Sequence, residues 1–190
     1  MAHHRVVHFG GQLVHPGQSF VRGEDPDGNA IYLTFTTEAQ SMTTLRRSSS
    51  PTEDGVQVSE LRWNGDQLGA WVSTTRSINR ELPMSELAEV TRRPLGMRAF
   101  MSYSDGGNES SFMWVRLPGA LTGDTHSYDL VNESSGVEIG RYRYHGPLAP
   151  PGGTITYATF EYAFHNKSLF LDAMMSLYIN RYLDAMGRII

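Results

Sequence analysis

The chain has 190 residues, 39% of them apolar and 19% charged, a formal net charge of −4 and no cysteine. That length suits one domain with a sizeable core, and the missing cysteine excludes disulfide scaffolds, thiolate metal sites and a cysteine nucleophile. The acidic balance argues against a general grip on nucleic acid, and no apolar run reaches the ~18 residues of a membrane-spanning helix.

Apolar residues recur mostly with period two, the strand signal. Arg5 to Phe9 and Gln12 to His15 flank Gly10-Gly11, which suits a tight hairpin turn. Ala30 to Thr36 follows the turn residues Asp25-Pro26-Asp27-Gly28-Asn29 and predicts a strand. Residues 46–55 read as an exposed loop, and Val56 to Trp63 with Ala70 to Thr75 as a second hairpin around Asn64-Gly65-Asp66. Pro83 to Val90 suggests a short helix closed by Pro94. Met97 to Ser104 and Phe112 to Leu117, joined by Asp105-Gly106-Gly107-Asn108, predict an antiparallel hairpin that Pro118 ends. A strand over Val137 to Tyr144 precedes the break at Pro150-Pro151-Gly152-Gly153, and Thr154 to Phe164 is the longest strand candidate.

From Lys167 the period becomes helical, with Asn166 as N-cap and Gly187 as stop, giving one long or two short helices. The expectation is a single domain over 1–190 of the α+β class: strand-rich through 165, helical over 166–187. The terminal segment is apolar on more than one face, whereas a helix lying on its own sheet needs only one apolar stripe. The surplus predicts burial against a second chain through Phe170, Met174, Leu177 and Tyr178.

Three stretches resemble the coat proteins of single-stranded RNA bacteriophages of the levivirus type. They are Met97–Ser104 with Phe112–Pro118, Tyr157–Phe164, and Ser168–Leu177, similar to that family's central hairpin, last strand and following helix. The resemblance implies an N-terminal hairpin and antiparallel sheet followed by C-terminal helices that pack on a partner subunit's sheet. It further implies homodimers that assemble into an icosahedral capsid and package genomic RNA, in the virion and, during assembly, in the bacterial host cytoplasm. Segments 38–95 and 119–150 are extra material relative to that pattern, and the basic cluster some members carry on the hairpin is missing.

Period-two reading of the same strands places Arg98, Ser102, Trp114 and Arg116 with Tyr157, Thr159 and Glu161 on one face. Guanidinium, hydroxyl and aromatic groups together suit single-stranded RNA. The opposing reading is a sheet sandwiched in a larger core, with Arg116 and Glu161 as a cross-strand ion pair. Of the 16 basic residues, 15 are arginine, a skew that GC-rich coding also produces.

Seven histidines show no metal-ligand spacing, and no nucleophile elbow, P-loop or dinucleotide motif is present. The sequence therefore predicts a non-enzymatic structural protein without metal, cofactor or membrane partner. The alternative is a β-rich small-molecule binding module closed by the C-terminal helix, with Trp63, Trp71 and Trp114 lining its cavity.

Overall fold

The computed structural model describes residues 4–11, 18–38, 42–64, 67–73, 80–84, 97–103, 109–117, 126–148 and 155–185. Alternating sequence makes twelve strands: β1 (Arg5–Gly11), β2 (Gln18–Glu24), β3 (Ala30–Glu38), β4 (Met42–Ser48), β5 (Val56–Asn64), β6 (Gln67–Ser73), β7 (Arg80–Pro83), β8 (Met97–Tyr103), β9 (Glu109–Arg116), β10 (Tyr128–Asn132), β11 (Glu138–Leu148) and β12 (Thr156–Tyr162). In β3, Ile31, Leu33, Phe35 and Thr37 are buried while Tyr32, Thr34 and Thr36 are not, the signature of a strand with one face in a core. All twelve join one antiparallel sheet, ordered β7-β6-β5-β4-β3-β2-β1-β12-β11-β10-β9-β8. Two meanders therefore run outward from a central seam, where Val7 pairs with Phe160 and His8 with Thr159.

One helix, α1 (Lys167–Ala185), follows β12. Asn166 caps it as the sequence predicts, its Oδ1 accepting from the Leu169 amide at 3.0 Å. Lys167 pairs with Asp27 in the β2–β3 turn. Asp25 orders that turn by accepting from the amides of Asp27 and Asn29, and its other oxygen binds Arg47 at 2.9 Å.

The α+β expectation, with helices on a partner's sheet, is overturned: among the described residues the fold is dominated by sheet, and the C-terminal helix is enclosed by its own chain. Every residue from 172 to 184 is buried. The sheet meets the helix from many directions. Phe35 of β3 stacks on Tyr178 at 5.1 Å, Trp63 of β5 lies 4.2 Å from Tyr182, and Tyr162 of β12 lies 5.1 Å from Phe170. Trp114 of β9 donates its indole N–H to Ser176 Oγ at 2.9 Å. A segment apolar on several faces needs cover on several faces; a sheet of this width supplies it by curling, which twisted sheets beyond ~10 strands tend to do. The surplus that suggested a second chain is absorbed here.

The strands expected at 56–63 with 70–75 and at 97–104 with 112–117 pair as β5 with β6 and β8 with β9, with Leu61 opposite Trp71 and Arg98 opposite Trp114 among the described residues. The expected turn at Gly10-Gly11 does not. Both glycines belong to β1, which pairs with β2 in the register Gly10↔Phe20 and Gly11↔Ser19. Gly10 is needed for close approach: a Cβ there would sit 2.2 Å from the Phe20 ring and 2.7 Å from the Ile155 carbonyl. The 46–55 loop begins later than expected, since β4 runs to Ser48. Residues 12–15, 85–90, 104–108, 118, 150–153 and 187, on which other expected elements fall, lie outside the described residues.

Gly140 shows how tightly the interior is filled, for a Cβ there would meet the Phe160 ring at 2.7 Å and the Glu161 carbonyl at 3.0 Å. Gly140→Ala should lower stability by about 1–3 kcal/mol through overpacking, measured by urea denaturation. An unchanged midpoint would mean that the β11–β12 packing is looser than described.

Candidate ligand-binding surface

The residues expected on one RNA face lie on opposite sides of the sheet. Arg98 and Trp114 are buried in the interior, and Arg116 reaches into it. Tyr157, Thr159 and Glu161 point outward, alternating with buried Ala158, Phe160 and Tyr162. The side chain of Ser102 lies outside the described residues. Phe170, Met174, Leu177 and Tyr178, expected at a dimer interface, are buried inside their own chain.

The inward set forms a polar cluster at the far end of α1. Arg98 donates through Nη1 to Asn180 Oδ1 at 2.5 Å and through Nη2 to Asp184 Oδ1 at 2.7 Å. Tyr128 donates its hydroxyl to Asp184 Oδ2 at 2.6 Å, and Arg116 Nη1 lies 3.7 Å from Asp184 Oδ1. Burial, then the Asp184 charge, pushes the Tyr128 hydroxyl far above its ordinary range. Tyr128 therefore stays protonated at neutral pH and Asp184 is committed to its partners, so the cluster anchors the helix and offers no free base or nucleophile. The three tryptophans are likewise committed. The indole N–H of Trp63 donates to Thr43, that of Trp71 to Ser59 and that of Trp114 to Ser176, and the helix occupies the space a ligand cavity would need.

The exterior over the seam has a different character. One row across five strands follows the register Arg143↔Thr159↔His8↔Arg22↔Tyr32, from β11 through β12, β1 and β2 to β3. At the usual spacing of ~4.8 Å per strand, the row is about 19 Å wide. Next to it, the Phe20 ring lies over Gly10 and stacks on Tyr32 at 5.6 Å and 16°. Tyr157 and His145 flank the same side, because β11 is irregular between Tyr144 and Leu148.

The charges on this face are held differently. Arg143 binds Asp129 at 2.5 Å and the Tyr128 carbonyl at 2.9 Å. Arg141, opposite Glu161, binds Glu138. Arg22 has no carboxylate partner among the described residues. Partial burial, then the charge of Arg22 and the His145 ring, holds His8 below the ordinary imidazole value. Burial raises the Tyr32 hydroxyl. The face thus combines flat rings, a guanidinium free to bind, imidazoles and hydroxyls.

Sequence reasoning missed Arg22, His8, Phe20 and Tyr32. The available signal was the glycine at position 10, spaced to leave room for an aromatic ring on a neighbouring strand. No family model, curated protein or solved structure matches the chain.

The two sides should respond differently to substitution. Asp184→Ala leaves Arg98 buried without its counter-charge and should cost about 3–5 kcal/mol. Tyr157→Ala, at the half-exposed outer face, should cost well under that. Equal losses in thermal denaturation would contradict the assignment of sides.

Proposed function

We propose that this chain is a non-catalytic RNA-binding module whose working surface is the outer face over the β1–β12 seam. The interior is occupied by the helix, so recognition takes place outside. The observation that carries the reading is the juxtaposition of the stacked Phe20–Tyr32 pair with Arg22, which has no carboxylate partner among the described residues, on an outer face spanning five strands. Single-stranded RNA needs this combination: rings on which bases stack, and cations that meet phosphates. The reading keeps Tyr157 and Thr159 from the sequence-based face and replaces Arg98, Trp114 and Arg116 with cations that do reach solvent. Glu161 opposes phosphate locally, and Arg141 beside it offsets that charge.

A shell built from helix-crossed dimers finds no support in this fold, because the helix that would cross is enclosed by its own sheet. The cavity-binding alternative meets the same obstacle, since Trp63 and Trp114 pack on the helix and Trp71 is bonded within the sheet.

Fluorescence anisotropy with a labelled single-stranded RNA oligonucleotide tests the proposal. Binding should weaken as salt rises, with log K falling by about 0.7 per phosphate contacted for each decade of salt. Tyr157→Ala and Phe20→Ala should each weaken binding by about 1–3 kcal/mol, the usual range for a stacked base. Absence of binding at low salt, or binding indifferent to both substitutions, would overturn it.

A further inference from the structure

Within that face, two groups meet across neighbouring strands. His8 of β1 and Arg22 of β2 are direct cross-strand partners, which puts their Cβ atoms about 5 Å apart. His145 of β11 lies beyond the last regular pair with β12, on the outward side shared with Arg143 and two strands away from β1. Gly146, with φ near +77°, turns the chain there, and the His145 ring contacts the Gly146 carbonyl at 3.0 Å through Nδ1. Arg22 brings a permanent positive charge that no carboxylate pairs among the described residues, and the His8 imidazole brings a donor that protonation doubles.

We infer that Arg22 and His8 form a seat for a single phosphate group on this face, and that filling the seat draws a proton onto His8. The inference rests on the RNA reading only for the source of the phosphate; the seat itself stands on the His8–Arg22 pair. The physical case is electrostatic. Two carboxylates share the outer side of neighbouring strands, Glu24 on β2 and Glu161 on β12, and Arg143 of β11 is tied to Asp129. Neither carboxylate offsets the partial burial and the Arg22 charge, which together lower the His8 pKa. An arriving phosphate reverses that balance: it supplies the negative charge the site lacks, favours the imidazolium and accepts its N–H, while Arg22 offers a two-pronged guanidinium contact. A phosphodiester keeps one negative charge throughout the neutral range, so any pH dependence of its binding belongs to the protein.

The sign follows directly. The His8 pKa lies below the ordinary 6.5 in the empty seat and rises when the seat is filled, so affinity grows as pH falls toward and through that region. The test is an NMR titration of the His8 ring, recorded with no addition, with inorganic phosphate, and with a short single-stranded RNA. Both additions should move the His8 midpoint upward. RNA affinity should increase severalfold between pH 7.5 and 5.5, since one unit of differential pKa corresponds to about tenfold. Arg22→Gln should weaken binding of both and abolish the shift; His8→Gln should remove most of the pH dependence while leaving binding at pH 7.5 nearly intact. RNA binding with an unmoved His8 midpoint and indifference to Arg22→Gln overturns the seat and leaves the RNA reading standing. A midpoint moved by phosphate, with no RNA binding, keeps the seat and overturns the RNA reading. If neither ligand moves His8 or binds, both fall.

Discussion

The structure depends on matching the polar groups of a helix that has been taken out of water. Asp172, Ser176, Asn180 and Asp184 recur every four residues along α1, which places them on one side of the helix, and all four are buried. An ionised carboxylate in such a place is tolerable only with a counter-charge and hydrogen bonds. Arg98 and Tyr128 bind Asp184, Arg98 also binds Asn180, and Trp114 binds Ser176. These partners come from β8, β9 and β10, and the match fixes both the rotation of the helix and its position along its axis. Elsewhere β3, β5 and β12 supply aromatic cover through Phe35, Trp63 and Tyr162, with Thr37 hydrogen-bonded to the Tyr178 hydroxyl and Tyr142 beneath the buried Arg181.

That constraint also decides where function can reside. Once the helix fills the concave side, every inward residue is committed to packing or to pairing with it. What is left for recognition is the outward half of each strand. Most of that half carries paired charges such as Arg143 with Asp129 or Arg62 with Glu60. Over the seam the pattern changes: Gly10 lets the Phe20 ring lie down against the sheet, and Arg22 sits beside His8 with no carboxylate partner among the described residues.

The local elements were largely legible in the sequence. Period-two alternation marked β3, the β5–β6 and β8–β9 hairpins and β12, and Asn166 marked the start of the helix. What the alternation could not supply was which face of one strand shares a side with which face of another. Aromatic and arginine content suggested placing Trp114 with Tyr157. The register runs otherwise: Arg98↔Trp114↔Leu130↔Gly140↔Tyr162 is one continuous row, and all of its members face the helix. Arginine at position 98 reads as a surface residue until Asp184, 86 positions later, is placed beside it. The glycines at 10 and 11 were misread for a related reason, since a ring from a neighbouring strand and a turn both call for glycine, and only the register separates them.

The seam explains why these long-range relations carry so much weight. Apart from β1 with β12, each strand pairing among the described residues joins neighbours in sequence, as expected of two meanders. Such hairpins close short loops at low entropic cost, whereas joining β1 to β12 closes a loop of most of the chain. That single costly closure brings His8 beside Thr159 and aligns Arg22 with Arg143 across the row. It also sets the start of α1 against the β2–β3 turn, where Lys167 meets Asp27. Burial of the helix, which runs on from β12, is the favourable term that stabilises the seam, so the outer face exists as a continuous surface only when the interior is complete. Recognition on the outside and packing on the inside are thus two consequences of the same pairing.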